Sequence, residues 1–147
     1  VVELRTTGAI EEQSRAFSQG FFSVLPRQFV GIFSVEELEL LISGEPILNV
    51  DDWRKHSTSV GYTEESIELQ WFWQVVEEMS QSERQLLLQF ATGARNVPAG
   101  GFARLGGAHG LQPFCITRVV DGSQLLPTSS TCFNILRLPQ YTSKAQP

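Results

Sequence analysis

Leu126-Pro127-Thr128-Ser129-Ser130-Thr131-Cys132-Phe133-Asn134-Ile135-Leu136-Arg137-Leu138-Pro139 sets a cysteine between a polar, turn-prone loop and an apolar strand. A cysteine that only fills a core more often sits inside an apolar run. The Pro-Thr-Ser-Ser-Thr segment ahead of Cys132 is too polar and too rich in turn formers to be buried. On residues alone, Cys132 reads either as a reactive thiol or as a partly buried strand-end side chain. The strand is expected over Cys132–Leu138, with Leu136 and Leu138 on the face of Cys132, Phe133 and Ile135 on the other, and Pro139 as its end.

Working back from there, Phe114-Cys115-Ile116-Thr117-Arg118-Val119-Val120 reads as a second strand, closed by an Asp121-Gly122 turn. The stretch 96–110 is glycine-rich, and its Gly100-Gly101 and Gly106-Gly107 pairs read as turns. Before it the chain is helical. Ser80 and Glu83 form a capping box for a helix that turns Leu86, Leu87, Phe90 and Ala91 inward and stops at Gly93. Ile67, Trp71 and Val75 form one face of an earlier helix capped by Thr63, and Leu69, Phe72, Trp73 and Val76 widen that face until the helix should be largely buried. Asn49 opens a short helix through Asp51, Asp52 and Trp53. Ser34 with Glu37 caps another, carrying Leu38, Leu41 and Ile42 to a stop at Gly44. Ile10, Phe17, Phe21 and Val24 mark an amphipathic helix over residues 9–25, closed by Pro26. Between the helices, Gly44-Glu45-Pro46-Ile47 serves equally as a plain turn or as an interdomain hinge.

The composition narrows the function classes. At 147 residues and 41% hydrophobic content, the chain can build a core for one domain or two small lobes. Charged residues make up 18% and the formal charge is −5, so no basic stripe awaits a phosphate backbone and nucleic acid is not an expected partner. No apolar run nears the ~20 residues of a membrane helix, and no charged-then-apolar leader opens the chain. A soluble protein is expected, in the cytoplasm with the nucleus also open. Val1 in place of methionine, and an end at Pro147 just after a strand and turn, suggest that both ends are cut. Two cysteines, Cys115 and Cys132, are not a disulfide framework, and both are expected as free thiols. The two histidines and two well-separated cysteines lack zinc-ligand spacing. The Gly100-Gly101 and Gly106-Gly107 pairs lack the strand-glycine-helix setting of a nucleotide site. No metal or cofactor is expected.

The loop around Cys132 resembles the active-site loop of HECT-type ubiquitin ligases, in which a leucine-proline pair, a polar spacer and then threonine-cysteine-phenylalanine-asparagine carry the catalytic cysteine. The likeness extends along the chain in order and spacing. Residues 36–44 resemble the helix that closes that family's N-terminal lobe, and Val50-Asp51-Asp52-Trp53-Arg54 the start of its C-terminal lobe. Gln70-Trp71-Phe72-Trp73, Leu88-Gln89-Phe90-Ala91-Thr92-Gly93, Val97-Pro98 and Gly100-Gly101-Phe102 follow in that lobe's order. The tryptophan-rich helix is more similar to the WW-bearing and ankyrin-bearing members than to the papillomavirus-associated type. The resemblance implies an α+β fold in which residues 1–44 end the N-terminal lobe and residues 45–47 are the hinge. Residues 48–147 are then a C-terminal lobe, truncated before its tail, whose small sheet carries the cysteine loop. It also implies ubiquitin, a ubiquitin-conjugating enzyme and a protein substrate as partners, with most of the lobe that docks the conjugating enzyme missing.

On that resemblance Cys132 is the catalytic residue, within a loop that includes Leu126, Pro127, Ser130, Thr131 and Asn134. Ser130 departs from the family, many of whose members have histidine there. Cysteine is nucleophilic enough that placement can count for more than activation. Thr131 reads either as a turn residue or as a donor to the developing oxyanion. Cys115, inside an apolar strand, reads as a small core residue. An alternative enzyme would be a cysteine hydrolase pairing Cys132 with His109. A non-enzymatic alternative is a ubiquitin-binding module whose thiol is incidental. His56 has no stronger claim than a loop residue, and the tryptophans read as core.

Overall fold

The computed structural model describes residues 10–120 and 126–144. It is an α+β fold, as the resemblance implies, and its contacts divide the chain into residues 1–39 and 40–147.

In the first unit, α1 (Glu11–Val24) starts close to the expected position and ends ahead of Pro26. A one-turn α2 (Arg27–Val30), which periodicity does not reveal, follows. The Arg27 guanidinium lies 4.0 Å above the Phe22 ring, a cation–π contact that fixes the corner. No described residue of this unit is buried, and Phe17 is 74% exposed. The next helix, α3 (Val35–Ser43), begins at the expected capping box. The Glu37 N–H donates to the Ser34 hydroxyl and the Ser34 N–H to the Glu37 carboxylate.

The second unit holds the core. Gly44 ends α3 in the left-handed region at φ +76°, and a Cβ there would stand 2.2 Å from the Val97 carbonyl oxygen, so the position requires glycine. Glu45 pairs with Val97 through bonds of 2.7 and 3.3 Å, Asn96 donates to the Ser43 carbonyl, and Gln85 donates to that of Pro46. The segment 44–47 is therefore fastened to residues of its own unit.

Asn49 caps α4 (Val50–Lys55) by accepting from the Asp52 N–H. That helix delivers Trp53, fully buried, to the centre of the core. There its ring stacks on Phe102 at 4.8 Å and meets Trp73 and Phe114 edge-on. The helix α5 (Ile67–Glu78) has Ser66 at its N-cap position. Thr63, expected as the cap, instead donates its N–H to the Ser66 hydroxyl oxygen in the preceding turn. Only Trp73 and Val76 of α5 are buried, so the largely buried helix expected from its width is half-exposed. Its Trp71 and Val75 border a groove rather than the core.

The helix α6 (Gln81–Thr92) has the complete Ser80–Glu83 capping box and ends at Gly93 in the left-handed region. Its buried residues are Leu88 and Ala91. Leu86 and Phe90, expected inward, are about half exposed, because α6 shows the core a narrower stripe than its apolar content suggests.

Four strands form the main sheet in the order β1 (Ser57–Val60), β4 (Phe114–Val119), β6 (Ile135–Pro139), β5 (Thr128–Ser130). β1 and β4 are parallel, as are β4 and β6, while β5 runs antiparallel to β6. The β4 strand sits close to the expected place. The Asp121-Gly122 turn lies outside the described residues. Both edge strands, Ser-Thr-Ser-Val and Thr-Ser-Ser, escape an apolar pattern. Residues 96–110 are more than turns: they contain a 3₁₀ turn (Phe102–Arg104) and start a hairpin of β2 (Gly106–Gly107) and β3 (Gly110–Leu111).

Candidate active site

Cys132 occupies a 3₁₀ turn, Thr131–Phe133, between β5 and β6. The strand expected from Cys132 begins at Ile135 and includes Pro139, because Asn134 turns the chain into the left-handed region (φ 52°, ψ 37°) before β6 can start. Cys132 therefore does not share the core-facing side of Leu136 and Leu138. Those two are buried and Cys132 is exposed. The polar Thr128–Ser130 is an edge strand in register with β6, Ser130 opposite Ile135 and Thr128 opposite Arg137. The thiol thus stands at the tip of a hairpin whose two strands belong to the central sheet.

The turn is held from three sides. Its carbonyl at Thr131 accepts the Asn134 N–H at 3.3 Å, and the Asn134 carbonyl accepts the Cys115 N–H of β4 at 2.9 Å. The Asn134 side chain, 1% exposed, donates from Nδ2 to the carbonyls of Gly106 (2.9 Å) and Gln112 (2.8 Å). The Cys132 carbonyl accepts the Ala108 N–H of the β2–β3 turn at 2.8 Å. Gly107 lies so close that a Cβ would come within 2.9 Å of that carbonyl oxygen and 2.7 Å of Gln112 Cβ. Behind the turn, the end of α6 approaches until a Cβ on Gly93 would lie 3.9 Å from Thr131 Cβ. Thr131 therefore acts as a turn residue through its carbonyl, and its exposed side chain borders the thiol by sequence.

The other expected loop residues sit elsewhere. Leu126 and Pro127 line an apolar groove of about 380 Å³ with Trp71, Phe72 and Val75 of α5 and Leu136 of β6. Ser130 is half-buried in β5. His109 is exposed at the tip of the β2–β3 hairpin, its ring centroid 6.1 Å from that of Phe133. The hairpin brings His109 into the neighbourhood of Cys132, though the two side chains share no hydrogen bond. Cys115 is a free, buried thiol whose Sγ lies 3.8 Å from the Thr117 hydroxyl. His56 belongs to the core periphery, its Nδ1 2.9 Å from Asp52 Oδ1, while Asp52 Oδ2 accepts the Phe102 N–H. Among the described residues no group of three or more His, Cys, Asp or Glu side chains could hold a metal ion, and no helix is long and apolar enough to cross a membrane.

Sequence reasoning placed Asn134 in the loop but missed its clamp, and it missed the Gly106–Leu111 hairpin that backs Cys132. A signal existed for the first: asparagine is among the few non-glycine residues that tolerate the left-handed region, and it stands where a tight turn must enter a strand.

The chain is similar in sequence to proteins of known family. The sequence model of the HECT-domain (ubiquitin-transferase) family matches residues 1–146. The E3 ubiquitin-protein ligase HACE1 of Homo sapiens is 52% identical over 145 residues, which is 98% of this chain and 16% of that protein. HACE1 of Danio rerio is 51% identical over the same length. The E3 ubiquitin-protein ligase HUWE1 of Mus musculus is 43% identical over 143 residues, or 97% of this chain and 3% of that protein. The chain thus spans a sixth or less of the length of these relatives, and over that span it belongs to the HECT-domain family.

Proposed function

We propose that the chain is the cysteine-bearing part of a ubiquitin-protein ligase, with Cys132 as the acceptor of ubiquitin. The observation that carries this reading is an exposed thiol at the tip of a sheet hairpin, on a turn fixed by hydrogen bonds to two neighbouring elements. The Cys132 thiolate attacks the thioester carbonyl that joins ubiquitin to a conjugating enzyme. A new carbon–sulfur bond forms, the donor's breaks, and the donor thiolate leaves and is protonated. The neutral amine of a substrate lysine then attacks the second thioester and expels the Cys132 thiolate, and the proton the amine sheds passes to that thiolate or to solvent, giving an isopeptide. Both steps exchange acyl groups without redox change, so the protein's part is placement and stabilisation of the oxyanion. The Thr131 hydroxyl and the turn's backbone N–H groups are the candidates for that stabilisation. The partners on this reading are ubiquitin, a conjugating enzyme and a protein substrate, and the setting is the cytoplasm, with the nucleus also open.

The segment Gly44-Glu45-Pro46-Ile47 is proposed as the hinge that lets residues 48–147 reorient during transfer. On this reading the backbone turns about Gly44, while Glu45 and Pro46 stay bonded to Val97 and Gln85.

The reading is tested by intact-mass spectrometry after ubiquitin is supplied as the thioester of a conjugating enzyme or of a small alkanethiol. A reductant-sensitive ubiquitin adduct supports it. Release of free ubiquitin at a rate that depends on His109 would favour a cysteine hydrolase instead, and binding without a covalent change would favour a non-catalytic module.

A further inference from the structure

Asn134 is not the nucleophile, yet the bonds that define the Cys132 turn converge on it. Its backbone N–H meets Thr131, its carbonyl meets Cys115, and its amide nitrogen bridges Gly106 and Gln112. The residue satisfies two demands at once. It holds φ +52°, a conformation costly for most side chains, and it supplies two donors from one planar nitrogen to two backbone carbonyls of the neighbouring hairpin segment. Aspartate of the same shape would set an acceptor against those carbonyls. Glycine would keep the backbone and lose the clamp.

The hairpin grips the turn a second time, from Ala108 N–H to the Cys132 carbonyl, and only glycine fits at position 107 beside it. The backbone is thus tied immediately before Cys132, at Cys132 and two residues after it. A thiol that merely had to be exposed would not need this. Thiol–thioester exchange does, since a misplacement of about 1 Å can cost roughly 10²-fold in rate.

Building on the assignment of Cys132 as the ubiquitin acceptor, we propose that Asn134 is a positioning residue. Through the Gly106–Leu111 hairpin it fixes the direction in which the Cys132 thiol meets an incoming thioester carbonyl.

The test uses the whole chain as wild type, Asn134→Gly and Gly107→Ala, with ubiquitin carrying a C-terminal alkanethiol thioester as the probe and no conjugating enzyme. Adduct formation is timed by intact mass. Iodoacetamide labelling of Cys132 and Cys115 is followed in parallel, the buried Cys115 reporting unfolding. Both variants should form the ubiquitin adduct about 10- to 100-fold more slowly, with Cys132 alkylated as fast as in the wild type and Cys115 still protected. If Asn134→Gly exposes Cys115, Gly107→Ala decides, because it keeps Asn134 and displaces the hairpin through which the clamp acts. A variant that keeps Cys115 protected and accepts ubiquitin at the wild-type rate overturns the proposal. So does a loss of transfer that only parallels slower alkylation of Cys132. A wild-type chain that forms no adduct, or forms as much as Cys132→Ala, instead strikes the assignment of Cys132 itself.

Discussion

The strand that leads away from Cys132 is tied down at its far end by Tyr62, and removing that tie should leave a pH signature. The Tyr62 side chain is 6% exposed, and its hydroxyl donates to the carbonyls of Leu138 at 3.0 Å and Pro139 at 3.3 Å. Burial, chiefly, and then the Glu68 carboxylate push its ionisation up to about 12, against the opposing pull of Arg118, with Tyr141 adding to the rise. Tyr62→Phe keeps the ring and its packing but leaves buried carbonyls without their donor. At pH 8 the loss should be about 1–2 kcal/mol, or roughly 4–8 °C in Tm for a unit of ~100 residues. The sign then changes with pH. A raised folded-state value means that the folded protein holds the proton between about pH 10 and 12 while the unfolded chain releases it, so wild-type stability falls across that window. By pH 11 the wild type should have lost on the order of 1 kcal/mol from this group alone. The phenylalanine variant has no such term. Urea melts of both proteins at pH 8 and pH 11 should show the wild-type advantage shrinking to near zero. An undiminished advantage at pH 11 would refute the reasoning.

Trp53→Ala removes a fully buried ring stacked on Phe102 and should cost about 3–5 kcal/mol, read as loss of the cooperative transition in circular dichroism melts. Cys115→Ser should retain ubiquitin acceptance, since Cys115 is buried in β4, and adduct formation within error of the wild type is the check. Replacing Glu45-Pro46-Ile47 with helix formers, with Gly44 kept because a side chain there would meet the Val97 carbonyl, should slow transfer to substrate while the fluorescence of the buried Trp53 and Trp73 stays native; unchanged transfer would reduce the segment to an ordinary turn.

Sequence made local chemistry legible and left non-local pairing obscure. The caps at Ser34, Asn49 and Ser80 and the stop at Gly93 were readable because each is a bond or a backbone angle set within four residues. The edge strands were not readable. Ser57–Val60 and Thr128–Ser130 pair through their backbones at sheet margins, where solvent tolerates polar side chains and no apolar alternation is imposed. Helix faces were partly misjudged for a related reason: Leu86, Phe90 and Trp71 are apolar, but which apolar residues reach the core depends on where the sheet lies. At the site, the exposed setting of Cys132 was legible through its polar flanking residues. The shift of the strand to Ile135 and the hairpin behind the thiol were not, since both follow from Asn134 reaching residues 22 and 28 positions away.

The central claim is that ubiquitin is carried on Cys132, and substitution at that atom tests it most directly. With ubiquitin thioester as donor, wild-type protein should gain one ubiquitin that reductant removes, mapped by peptide mass to Cys132. Cys132→Ala should gain none. Cys132→Ser should gain an oxyester that survives reductant and yields to hydroxylamine, because oxygen replaces sulfur as the acyl acceptor. An adduct of undiminished yield on Cys132→Ala would contradict the account.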